Sequence, residues 1–235
     1  MQIKLVLSSL AALAIVSSAP VVAQDYPNRD IQVVVGFPPG SGADVYARFF
    51  ANKLQQLSKQ TVLVVNKPGA AAMIATETVA RARPDGYTLF IGGSDSFASP
   101  PYLFKKPSID PRKDFTYISP LLGQGFILVV DAAKPYKTVA ELTADMKVKK
   151  DKASYASTNN PATILAETYK QAHGLETTQV NYRTSMDFLN DMYAGRIDWV
   201  MADPVFGLAR INEGKMRPLG VSTGKRVSAI PNIPT

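Results

Sequence analysis

The stretch Ile31-Gln32-Val33-Val34-Val35-Gly36-Phe37-Pro38-Pro39-Gly40-Ser41-Gly42-Ala43-Asp44 decides how the rest of the chain is read. It opens as a β-branched run of strand length, then turns into glycine, proline and serine around a single phenylalanine. A helical pattern follows, with Val45, Phe49, Ala51 or Asn52 and Leu54 returning on one side. A strand that turns through glycines into a helix exposes peptide N–H groups at the helix's positive end. That geometry binds an anion without a charged side chain. The same residues also read as a plain capped turn, because Ser41 and Asp44 have the spacing of a capping box with Asp in place of Glu. The three-glycine dinucleotide pattern and the Lys-Ser/Thr pair of a P-loop are both absent.

Further along, apolar runs keep alternating with helical patterns. Thr61 to Val65 reads as a second strand closed by Asn66-Lys67-Pro68-Gly69, then a Met73 to Val79 helix leads through Pro84-Asp85-Gly86 into a strand over Tyr87 to Ile91. Such alternation implies parallel pairing with right-handed crossovers. Prolines 100, 101, 107, 111 and 120 then mark a long surface connection. Beyond it the spacing predicts strands over Phe126 to Val130, Ser154 to Ala156, Thr178 to Asn181, Asp198 to Ala202 and Pro218 to Ser222. Helices over Val139 to Val148, Ile164 to Ala172, Met186 to Tyr193 and Val205 to Asn212 separate them. The expected organisation is two α/β lobes in sequence, 24–122 and 123–222, with the seam near 118–128.

Residues 1–23 read as an export signal. Lys4 is their only charge, Leu5 to Ser18 is apolar but short for a bilayer span, and Val21-Val22-Ala23 offers small side chains for cleavage. Removing Lys4 lowers the net charge from +7 to +6, a moderately basic balance that attracts anions. The basic residues are scattered, so no nucleic-acid partner is expected. The chain has no cysteine, which excludes disulfides, a thiol nucleophile and a lipid-modified N-terminal cysteine. An exported chain without disulfides fits a bacterial periplasm. The lone histidine, His173, precedes Gly174 at an expected helix C-terminus, where the dipole favours a cation. No Gly-x-Ser-x-Gly elbow and no calcium-loop spacing occur, so no catalytic residue, metal or cofactor is assigned.

Tyr26-Pro27-Asn28-Arg29 through Phe37-Pro38-Pro39-Gly40-Ser41-Gly42-Ala43-Asp44, with Ala47-Arg48 after it, resembles the opening of the tripartite tricarboxylate transporter substrate-binding proteins (Bug-type receptors). Their usual pattern is a strand ending in Phe-Pro-Pro-Gly-Gly-Gly-x-Asp. Further matches lie at Asn66-x-Pro68-Gly69-Ala70, Pro84-Asp85-Gly86-Tyr87-Thr88-Leu89, Asp110-Pro111-x-Lys113-Asp114-Phe115, Tyr155-Ala156-Ser157 and Gly195-x-Ile197-Asp198. The resemblance implies a two-lobed periplasmic binding protein of type II-like, Venus-flytrap architecture. Such a receptor closes on a small carboxylate and passes it to an integral-membrane permease. A monomer is expected, and no enzymatic activity.

By position, the resemblance places the ligand on Phe37, Pro39, Gly40, Ser41, Gly42, Ala43 and Asp44 of the first loop and on Ser94, Ser96 and Phe97 of the third. It adds Ser157, Thr158, Asn159 and Asn160 of the second lobe. There Asn-Asn replaces a loop usually rich in Ser, Gly and Thr, and asparagine tolerates a left-handed backbone. Asp203 matches a family acid but also reads as an N-cap before Pro204. Tyr182-Arg183 matches a Tyr-Lys pair, with Arg183 either gripping a second carboxylate or solvated. Phe97 either lines the cavity or packs beneath the loop. The family's pattern runs on past Thr235, so residues 223–235 read as the start of a crossover back to lobe one, and a truncated, non-binding fragment is one reading. A receptor reporting to a signalling protein and a periplasmic enzyme on a carboxylate are the others.

Overall fold

The computed structural model describes residues 25–235; the expected export signal lies outside them. Three strands, β1 (Ile31–Val35), β2 (Val62–Asn66) and β3 (Thr88–Ile91), form a parallel sheet in the order β2-β1-β3. Helix α1 (Gly42–Ser58) follows β1, and α2 (Met73–Ala80) follows β2. Short helices α3 (Ser94–Phe97), α4 (Pro100–Leu103) and α5 (Pro111–Asp114) then lead toward a second sheet. The proline-rich connection is therefore partly helical. Pro100 and Pro111 each open a single helical turn, where a missing N–H costs nothing.

The second sheet holds β4 (Ile127–Asp131), β5 (Ser154–Ser157), β6 (Thr178–Asn181), β7 (Trp199–Ala202) and β8 (Met216–Val221) in the order β6-β5-β7-β4-β8. Its helices are α6 (Val139–Lys149), α7 (Asn160–His173), α8 (Leu189–Tyr193) and α9 (Pro204–Asn212). The β5 strand pairs parallel with β6 and β7, but β4 pairs antiparallel with both β7 and β8. That corrects the expectation of purely parallel pairing. The chain enters this lobe from the long connection, and β4 slots between two strands that run the other way. Two apolar clusters cover the faces of this sheet, one around Tyr155, stacked on Trp199 at 4.7 Å, and one around Phe188 and Met192.

In the first lobe, α1 packs Ala47 and Ala51 on Val33 and Val35, all nearly inaccessible to water. The expected face of Val45 and Phe49 is wrong: both side chains are exposed. Small alanines let the helix lie close to the strand, and the bulkier side chains turn outward. Residues 223–235 lie on the second lobe, where Val227, Ile230 and Ile233 pack on its core and Val221 donates to the Pro234 carbonyl at 2.9 Å.

Candidate functional site

Both sheets reverse their strand order at one point, and at such points the loops leaving the carboxyl ends part to leave a crevice. In the first sheet the reversal falls between β1 and β3, so the loops after them, Gly36–Ser41 and Gly92–Gly93, border it. In the second it falls between β5 and β7, bringing in Thr158–Asn159 and Asp203. All four segments face one cleft of about 1570 Å³.

The β1–α1 loop is held from within. Ser41 caps α1, accepting from the Asp44 amide at 3.3 Å, while its own hydroxyl donates to the Pro38 carbonyl at 2.7 Å. The return bond of the expected capping box lands one residue further out, from the Gly40 amide to Asp44 Oδ2 at 2.8 Å. Gly40 sits at φ +79, which glycine adopts without strain. Asp44 also accepts from Asn66 Nδ2 at 2.7 Å and Arg48 Nε at 3.0 Å. Burial pushes this carboxyl up, but the hydrogen bonds from Arg48, Asn66 and Gly40 outweigh it and hold the group below its usual range. Asp44 therefore braces the loop from behind and does not line the cleft. The residues that do are Gly42 and Ala43, the first two helical positions, whose amides have no acceptor within the helix.

The second lobe offers fewer donors than expected. Asn159 is not left-handed; it is extended, at φ −158, and caps α7 by accepting from the Ala162 amide at 2.9 Å. Pro161 has no N–H, and the Asn160 amide is directed to the Asp95 carboxylate of α3 in the first lobe. Asp95 is 4% exposed, its Oδ1 has no partner, and burial pushes its carboxyl up to about 6 against the favourable Asn160 contacts. A reciprocal contact crosses the other way. Asp203 caps α9, accepting from the Phe206 amide at 3.0 Å, and its carboxylate lies so close to Gly42 that a Cβ there would be 3.0 Å from its Cγ. Burial raises the Asp203 carboxyl, and Tyr46 of α1 feels its charge.

The structure brings Phe37, Pro39, Gly40, Ser41, Gly42 and Ala43 to the cleft, together with Ser94, Phe97, Thr158, Asn159, Arg183 and Asp203. Asp44, Ser96, Ser157, Asn160 and Tyr182 stand behind it. Ser157 Oγ hydrogen-bonds Thr163 Oγ1 at 2.5 Å, and Ser96 is wholly buried. Tyr182 donates to Asp191 Oδ2 at 2.6 Å, which turns its hydroxyl aside. Phe97 does both things open to it, lining the cleft and packing on Phe90, Phe115 and Tyr117. Asp95 is the residue sequence reasoning missed, although a carboxylate between two candidate serines was a signal. Among the described residues no cluster of three or more His, Cys, Asp or Glu could hold a metal ion. No described helix is long and apolar enough to cross a membrane.

Residues 46–235 match the family described as the tripartite tricarboxylate transporter family receptor. A UPF0065 protein of Bordetella bronchiseptica is 30% identical over 228 residues, 96% of this chain and 68% of that protein. Protein BugT of Bordetella pertussis is 29% identical over 222 residues, 93% of this chain and 68% of its own length. Among solved structures, R. palustris Rpa4515 with adipate superposes with a TM-score of 0.85 at 28% identity, covering 90% of this chain and 71% of that one. The periplasmic binding protein BugD gives 0.76 at 28% identity, covering 89% and 71%. With a two-lobed α/β fold, a cleft at both switch points and this match across most of its length, the chain belongs to the tripartite tricarboxylate transporter receptor family of periplasmic solute-binding proteins.

Proposed function

We propose that this chain is a periplasmic receptor that captures a small carboxylate in its cleft and delivers it to an integral-membrane permease. The observation that carries this reading is the pair of acceptorless amides, Gly42 and Ala43, at the cleft end of a 17-residue helix. A carboxylate there meets two N–H donors and the positive end of the helix dipole, an attraction of up to about 2 kcal/mol in a partly buried setting. The adipate in the Rpa4515 structure supports the ligand class. In this reading residues 24–122 and 123–222 act as two lobes closing by a hinge near 118–128, and residues 1–23 are the cleaved export signal.

Calorimetry with a panel of mono- and dicarboxylates, adipate included, tests it. Saturable binding of at least one is expected, while a folded protein that binds none refutes the reading. Within the same assay, Ser41→Pro removes the hydrogen bond from the Ser41 N–H to the Pro38 carbonyl and the hydroxyl that caps the Asp44 amide, and should weaken binding far more than His173→Ala. Equal effects would argue against the assigned loop.

A further inference from the structure

Asp95 belongs to the first lobe but is buried against the second. It is the second residue of α3, a turn that packs on α7, and it is 4% exposed. Of the first three positions of α7, Pro161 has no N–H and the Ala162 amide is taken by Asn159 Oδ1. The remaining donor, the Asn160 amide, is directed to the Asp95 carboxylate across the gap between the lobes. Asp95 Oδ1 has no partner, and neither do the buried Ser96 Oγ and Asn160 Nδ2 around it. A contact of this kind is made when the lobes are shut and lost when they part.

The contact is sensitive to charge. A carboxylate held in a dry wall with one oxygen unbonded is better off neutral, whereas water restores its charge once the lobes separate. Resting on the lobe closure assigned above, we propose that Asp95 is a proton-linked latch between the lobes: protonated, it lets them rest shut without ligand, and ionised, it favours the open form. The elements packed on α3 do not set this charge. Glu77 of α2 is bonded to Ser108 and paired with Arg81, Tyr102 of α4 is 90% exposed, and Arg112, Lys113 and Asp114 of α5 face solvent. On α7, Glu167 is paired with Lys170 at 2.8 Å, and with Tyr169 and His173 it lies about 10 Å or more along the helix from Asn160. Arg83, Arg183 and Arg210 also line the cleft, yet the Asp95 carboxyl responds to burial and to Asn160 alone.

Burial pushes that carboxyl up to about 6 in the shut form, whereas a hydrated aspartate titrates near 4. The shut form therefore keeps a proton that the open form releases. Its advantage is present in mild acid and lost as pH rises through about 6, so the shut-to-open ratio should be about tenfold higher at pH 5 than at pH 7. Because the chain has no cysteine, nitroxides at exposed Gln56→Cys in the first lobe and Glu176→Cys in the second report the interlobe distance by pulsed electron paramagnetic resonance. In the ligand-free protein the short-distance population should grow by that ratio from pH 7 to pH 5. Asp95→Asn keeps an acceptor for the Asn160 amide without the charge, so in it the shut form should predominate at both. A distance distribution that ignores pH in the protein with Asp95 overturns the inference, whether or not the variant folds. So does a pH response that survives Asp95→Asn, which would move the linkage to Asp203, the other buried carboxyl where the lobes meet. Adding the carboxylate panel at pH 7 separates the two readings, since lobes that answer to pH and to no carboxylate leave the latch standing and refute the receptor.

Discussion

Replacing Gly42 with alanine separates folding from closure. Gly42 is the first residue of α1 and its φ is not positive, so the backbone accepts alanine and helix propensity gains at most about 1 kcal/mol. The added Cβ, however, would stand 3.0 Å from Asp203 Cγ and well inside contact with its Oδ1. The Oδ1 contact is the closer of the two and sets the shift, so the Asp203 end of α9 must retreat by roughly 1 Å to restore ordinary van der Waals separation. Asp203 cannot simply swing aside, because its carboxylate accepts from the Phe206 amide as the cap of α9. The movement falls on the approach of the two lobes. Calorimetric titration with the tightest-binding carboxylate should then show a loss of at least tenfold, about 1.4 kcal/mol. The Tm of the unliganded protein should stay level or rise. Unchanged affinity would mean that the Gly42–Asp203 approach plays no part in closure, and a Tm lower by several degrees would show that it serves the fold instead.

Three more outcomes follow from the same contacts. Burial raises the Asp95 carboxyl to about 6, so the native state holds a proton that the unfolded chain releases near 4, and stability is lost as pH rises through about 6. Asp95→Asn escapes that loss. Its Tm advantage over the unmodified protein should therefore grow between pH 4 and pH 7, by up to about 3 kcal/mol or roughly 6–12 °C, and a difference flat with pH would contradict this. Asp44→Ala removes the acceptor shared by the Gly40 amide, Asn66 Nδ2 and Arg48 Nε, of which Asn66 keeps the Phe37 carbonyl and Arg48 is half-exposed, and should cost about 1–2 kcal/mol in denaturant unfolding; a cost under about 0.5 kcal/mol would show that the brace behind the loop is dispensable. Ala71, exposed at φ 52 between Ala70 and Ala72 of the same hand, should stabilise the chain by about 1 kcal/mol when replaced by glycine, read as a higher denaturation midpoint; a loss would refute the strain argument.

What could be read in the sequence was whatever the chain decides locally. The β1 run, the glycine–proline turn, the Ser41 cap and the Asp203-Pro204 start of α9 all rest on neighbours within four residues. Apolar spacing alone starts α7 at Ile164, whereas the Asn159 cap with Pro161 in the first turn starts it at Asn160. The helix expected from Met186 begins only at Leu189, after the Asp187 carboxylate has accepted from the Thr184 amide and closed a turn. Other features depend on distant partners and leave no periodic trace. The exposure of Val45 and Phe49, the antiparallel slot of β4 and the two carboxylates that cross the cleft are set by which segments meet. Asp95 and Asn160 are adjacent in the fold and far apart in the chain.

The claim on which the rest depends is that a carboxylate sits on the first turn of α1. Amide chemical shifts in an adipate titration of the 15N-labelled protein report on that turn atom by atom. The amides of Gly42 and Ala43 should move saturably and be among the largest changes, with the Asn160 amide responding as the lobes close. Saturable binding that leaves Gly42 and Ala43 unmoved would contradict it.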